Sequence, residues 1–364
     1  MDKLIYLKQY LIFMIVSVIT GLTLNQCDHV ENGYPIEQNL DEVHISQIKE
    51  VDNHLYAATN DGVYRTDLRD FNGKWENLGL KGHFISSIVK TPEGALLAGL
   101  RQTAEEDVPP LFLSNRNHTR FDPYPQNYAG DREDAIVYTM MQDPYRPDTI
   151  YARGAYFAAR SPDAGESWEL IFGDWGSAGY QADIIKVHPL EPETIWVGGE
   201  TTIFQPYLTY SEDLGENWEG IELDTGGDDA AYSLAFHPDD PDEILLGMEG
   251  KIKHTEDRGQ NWEWVFENDL YHYIHVMESP GDKPSETVYA SGTENGAAGG
   301  GLFFLKTEDF GESWDKTRAD LDIDGMSIND LLIREESGAR VIYFATSQGV
   351  WQYDGEQFSR PGED

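Results

Sequence analysis

Four segments of the chain set a hydroxyl, a carboxylate and an indole at one fixed spacing. They are Ser161, Asp163, Gly165 and Trp168; Ser211, Asp213, Gly215 and Trp218; Thr255, Asp257, Gly259 and Trp262; and Thr307, Asp309, Gly311 and Trp314. A carboxylate beside a hydroxyl suggests either proton transfer or cation ligation. Each copy supplies a single well-placed carboxylate, whereas glycoside hydrolysis needs two across one bond and a metal needs several donors. A tight turn uses the same residue types better. Asp and Ser accept from backbone N–H groups nearby, Gly supplies a positive φ, and Trp begins the next strand with a large apolar face.

The copies start 50, 44 and 52 residues apart, a period that signals solenoids, propellers or arrays. The pattern resembles the Asp-box, or BNR, repeat of sialidases, the sortilin ectodomain, xyloglucan-degrading hydrolases and a photosystem II assembly factor. The resemblance implies an all-β propeller of four-stranded antiparallel blades. It also implies that the box joins the third and fourth strands on the outer rim, as a structural device away from the substrate face.

A second repeat places the other strands. Asp143-Pro to Gly154, His188-Pro to Gly198, His237-Pro to Gly247 and the looser Glu278-Ser-Pro280 to Gly292 each read as strand, Pro-bounded turn and short apolar strand. Tyr56-Ala-Ala-Thr59 with Gly62-Val-Tyr64 near the start matches Tyr343-Phe-Ala-Thr346 with Gly349-Val-Trp351 near the end. Phe84 to Val89 with Ala95 to Gly99 forms one more unit without a box. Blades then begin near His44, Gly82, Arg132, Tyr180, Asp229, Leu270 and Met326. Seven is the expected count, with six or eight open. Residues 44–364 are expected to form one propeller.

A ligand of such a fold sits on the face made by the loops entering each inner strand and those joining the second and third strands. The sequence puts Tyr128, Asp134, Trp175, Tyr180, Asp183, Asp229, Tyr271 and Tyr273 at or near the entering loops. Arg153, Glu200 and Glu294 fall where the second strands end. The loops from Arg101 to Pro110, Glu200 to Tyr207 and Thr293 to Gly301 read as long. Aromatic rings beside carboxylates suit a saccharide or another polar ligand. A hydrolytic pair could be drawn from Asp134, Asp183, Glu200, Asp229 or Glu294, but no spacing in the sequence fixes their separation. No Phe-Arg-Ile-Pro type segment of the sialidases, no His-rich metal motif, no nucleophile elbow and no phosphate-cradling Gly loop before a helix is present. The expected role is therefore non-catalytic, a binding or scaffold module for a protein or a glycan, without cofactor or metal. An enzyme acting on a neutral polysaccharide is the alternative.

The net charge is −40, from 66 acidic and 26 basic residues, and only 12 of the latter are Lys. That balance excludes nucleic acid as a partner, since a basic footprint is missing. It reads as a solvated surface suited to high salt. Residues 1–26 carry Lys3 and Lys8 ahead of an apolar run from Tyr10 to Leu24, the pattern of an export signal too short for a membrane span. Cys27, the single cysteine, follows at once and resembles the lipidated cysteine of a bacterial lipoprotein, although Gln26 stands where a small residue is usual. Residues 28–43 read as a tether. An extracytoplasmic monomer is expected, bound to the bacterial envelope only through that lipid, or else secreted.

Overall fold

The computed structural model describes residues 37–362 except 103–107, 125–126, 129–135, 176–179, 225–228, 268–270, 279–285, 295–302, 319–325 and 337–338. The export signal and Cys27 lie outside the described residues. The chain folds into seven antiparallel sheets in sequence order, spanning 45–79, 84–123, 139–173, 180–221, 231–267, 271–318 and 328–359. We number these blades 1 to 7. Each is a four-stranded meander whose first strand is innermost, and each packs on the next, blade 7 on blade 1. The architecture is a seven-bladed β-propeller.

The reason the second strands read as unbroken apolar runs is visible in the core. Among the described residues there are seven apolar clusters, and each fills the seam between two neighbouring blades. Alternate residues of one strand serve different seams. Leu55 and Ala57 face blade 7, whereas Tyr56 and Ala58 face blade 2.

Blade 1 is wider than expected. Glu37–Gln38 pairs with Trp75 and Glu76 as a fifth, outermost strand, and Leu40 is buried in the seam with blade 7. Residues 37–43, expected as tether, thus belong to the propeller, because Leu40 gains more from burial than a solvated linker would allow.

Inner strands carry a shift in register near their start in blades 1, 2, 4, 5, 6 and 7. In blades 1, 2 and 7 the residue just beyond it stitches blade to blade. Gln47 Oε1 accepts the N–H of Ile88 (2.8 Å), Ser87 Oγ that of Met140 (3.0 Å), and Asp330 Oδ2 that of Ile48 (3.1 Å). The last bond closes the ring. Arg334 on Glu50 (2.7 Å) and Arg360 on Asp41 (3.3 Å) reinforce the same seam.

Candidate functional site

A meander puts the loops entering each inner strand at the same end as the hairpins between second and third strands. The box turns lie at the other end. Each box closes on itself as its residue types require. Asp213 accepts from Ser211 Oγ (2.8 Å), Asn217 N–H (2.8 Å) and Asn217 Nδ2 (2.7 Å), while Ser211 Oγ accepts the Gly215 N–H (2.8 Å). The other three copies repeat these bonds within a few tenths of an ångström. The bond from Asn217, ahead of the rest, holds the Asp213 carboxyl down at about 2. Gly215 has φ +96°, and a Cβ there would lie 2.9 Å from Ile171 Cβ of the preceding blade. Each box thus braces its own turn, and in blade 4 its Gly sits against the preceding blade.

The opposite end carries a continuous row of side chains across blades 1 to 4. It starts from an exception in the repeat. Where a second strand passes the inner-strand shift, the paired residue is Ala58, Gly99, Gly198, Gly247, Ser291 or Ala345. These are small because the seam is tight: a Cβ on Gly99 would stand 2.6 Å from Val137 Cγ1 of blade 3. Blade 3 has Arg153 there, opposite Thr139. Its side chain crosses to blade 4, where Nη1 donates to Ala182 O (2.6 Å) and lies 3.6 Å from Asp183 Oδ1. Both side chains are largely buried. Burial lowers the Arg153 pKa and raises that of Asp183, and each charge opposes the shift of the other.

Tyr138 extends the row. Its ring lies under both guanidinium groups, 5.7 Å from Arg153 and 5.3 Å from Arg101. Arg101, which is exposed, also stacks on Phe84 at 5.4 Å, and Phe84 meets His44 edge-on at 5.2 Å. Burial lowers the His44 pKa, and Arg101 lowers it further, so this imidazole is neutral at neutral pH. His44, Phe84, Arg101, Tyr138, Arg153 and Asp183 therefore form one strip bearing two fixed cations and one carboxylate. A guanidinium stacked on rings keeps its N–H edges free to donate. The strip can bind a planar or polar group by stacking and hydrogen bonding.

The structure distributes the residues proposed from sequence unevenly. Arg153 and Asp183 are in the strip. Glu200 is half-buried on the second strand of blade 4, and Tyr180 opens the inner strand of that blade. Tyr271, Tyr273 and Glu294 lie on paired strands of blade 6, with Tyr271 opposite Glu294, and their side chains are outside the described residues. Asp134 is also outside them. Tyr128 and Trp175 pack inward, Tyr128 fully and Trp175 in part. Tyr128 is 4 % exposed and packs on Trp168 (5.1 Å) and Phe157 (5.7 Å), and Trp175 packs on Phe157 (4.6 Å). These entering-loop rings fold into the seam of blades 2 and 3, where burial is worth more than exposure. Asp229 also turns inward, accepting Ala230 N–H (2.8 Å) and Glu249 N–H (3.2 Å). The segment Glu200 to Tyr207 is no long loop, since its strands run to Thr201 and from Pro206. His44, Phe84 and Tyr138 were missed. Their signal, the break in the small-residue column at Arg153, emerges only with the strand register.

No known family profile matches the chain. Over 100 residues it is 32 % identical to a vacuolar protein sorting/targeting protein 10 of Uncinocarpus reesii, a match covering 27 % of this chain and 6 % of that protein. Among solved structures it resembles an ancestral GH74 enzyme (TM-score 0.63, 14 % identity), covering 90 % of this chain and 47 % of the other. It also resembles YCF48 bound to D1 peptide (TM-score 0.60, 14 % identity), covering 91 % and 97 %. The chain thus spans a small fraction of the sorting protein and about half of the GH74 enzyme. The likeness to the solved structures is one of fold, shared by an enzyme and by a protein solved with a peptide bound. The chain is a seven-bladed β-propeller that carries four segments resembling the Asp-box repeat.

Proposed function

We propose that the chain is an exported, lipid-anchored envelope protein whose propeller is a non-catalytic module for binding a protein or a glycan over the strip from His44 to Asp183. The observation that carries this reading is Arg101, an exposed guanidinium set over the rings of Phe84 and Tyr138 and without a hydrogen bond among the described residues. Asp183 and Asp229, two carboxylates that could have served hydrolysis, are engaged with Arg153 and with backbone N–H groups. A propeller of similar fold has been solved with a peptide bound, which supports testing peptides first.

Glycan and peptide arrays should be run in parallel with hydrolysis assays on neutral polysaccharides. Binding that weakens in Arg101→Gln, with no product, is the expected result. Release of reducing ends in proportion to protein would replace this reading with a glycoside hydrolase. Mass measurement of the exported N-terminus tests the anchor, and an unmodified Cys27 there would remove it.

A further inference from the structure

The hairpin joining the second and third strands of blade 4 turns through Thr202, Ile203 and Phe204. Thr201 N–H donates to Gln205 O (2.8 Å) and Phe204 N–H to Thr201 O (2.9 Å). Phe204 has φ +60°, the left-handed position of a three-residue loop, where Gly or Asn fits without strain. Ile203 and Phe204 are 66 % and 59 % exposed, the highest values for large hydrophobic side chains among the described residues.

Every other described non-glycine residue at positive φ puts its side chain to use, or is small or polar enough to fit a turn. Ala164, Leu214, Arg258 and Phe310 occupy the same box position. Within that set Phe310 is buried, Arg258 binds Glu191 and Asp242, and Leu214 packs in a seam. Leu80 packs against another seam, and His118 bonds to Tyr56 and Gly94. Asp52 binds Lys90, and Asn53 beside it is a ready turn former. Phe204 alone combines a disfavoured backbone with an exposed apolar ring. Most of the ring faces solvent there, and such outliers persist where function uses them.

The hairpin is braced as well as strained. Asp229 N–H donates to Phe204 O (3.3 Å), and the Asp229 carboxylate is fixed by Ala230 and Glu249. Glu200 sits on the strand that leads into it, and the Glu249 N–H bonds to Asp229 at its base, in a chain of net charge −40. We propose that Ile203 and Phe204 form a rigid anchor for a protein partner, entering an apolar pocket with a basic rim. The proposal rests on reading this end of the propeller as its binding face. An anionic bilayer, the other host for an Ile-Phe tip, is repelled by the same charge.

A phage-displayed random peptide library panned on the full chain provides the test, with Phe204→Gly and Arg101→Gln as comparators. Enriched peptides should combine Lys or Arg with Leu, Ile, Phe or Met, and should weaken in added salt. They should bind Phe204→Gly at least about tenfold more weakly. Phe204→Gly should keep or raise the thermal midpoint, because Gly relieves the left-handed strain. A lowered midpoint would show that the ring serves the fold, and would overturn the proposal. Acidic peptides, or peptides indifferent to Phe204→Gly, would do the same. So would Phe204-dependent sedimentation with phosphatidylglycerol vesicles. Peptides lost only with Arg101→Gln would remove the hairpin anchor while leaving the binding face intact, and an absence of any enrichment would remove both.

Discussion

Asp330 makes the ring closure sensitive to pH in an unusual direction. Its carboxylate sits on the inner strand of blade 7 and accepts from Ile48 of blade 1 (3.1 Å) and from Leu331 (2.9 Å). Burial pushes its pKa up to about 7, against the pull of its two N–H donors and of Lys49. In the unfolded chain the value returns to about 3.9. The folded state therefore binds a proton more tightly than the unfolded state. Stability from this group is full below about pH 4 and declines as pH rises to about 7. Three pK units set a ceiling of about 4 kcal/mol. Residual exposure of the side chain lowers the expected loss to about 1–3 kcal/mol. Asp330→Asn keeps an acceptor for Ile48 and cannot ionise. Denaturant unfolding followed by Trp fluorescence should give equal midpoints for variant and parent at about pH 4 or below. At pH 8 the variant should be the more stable by that 1–3 kcal/mol. A variant that loses the same stability at both pH values would refute the reasoning, since the carboxylate would then be a net support at every charge state.

Two further outcomes follow from described contacts. Arg153→Ala leaves Asp183 largely buried without its cation and should cost about 3–5 kcal/mol at pH 8, with most of it recovered in Arg153→Ala/Asp183→Asn; a double variant no better than the single would show that Arg153 acts through packing alone. Asp163→Ala removes the acceptor for Ser161 Oγ, Ser167 N–H and Ser167 Oγ and should cost about 1–3 kcal/mol by denaturant midpoint, without changing ligand binding at the opposite end of the blade.

The fold was largely legible because its punctuation is chemical. A box or a Pro turn reports a local backbone requirement, so blades 3 to 6 stand out, and blades 1, 2 and 7 follow from weaker copies of the same strands. The site was less legible because a ring in an entering loop can fold either way. Tyr128 and Tyr138 are ten residues apart and both border the inner strand of blade 3, yet one packs under the Trp168 staple and the other lies beneath two arginines. Burial decides between them, and burial is a property of the seam. Arg153 was legible because the second strand of its blade ends there, whereas the break it makes in a column of small residues emerged only with the strand register.

Six of the seven seams join blades that follow one another in the chain. The seventh joins Arg334 to Glu50 across 284 residues and Arg360 to Asp41 across 319. This difference in space is also an order in time. Local hairpins and neighbouring seams can assemble as the chain emerges, at small loop-closure cost. The closing seam must wait for residues 328–359, and until then the apolar flank of blade 1, with Ile45, Leu55 and Tyr64, stands open. The propeller therefore has one interval of exposure built into its synthesis, and its length is set by how quickly blade 7 arrives.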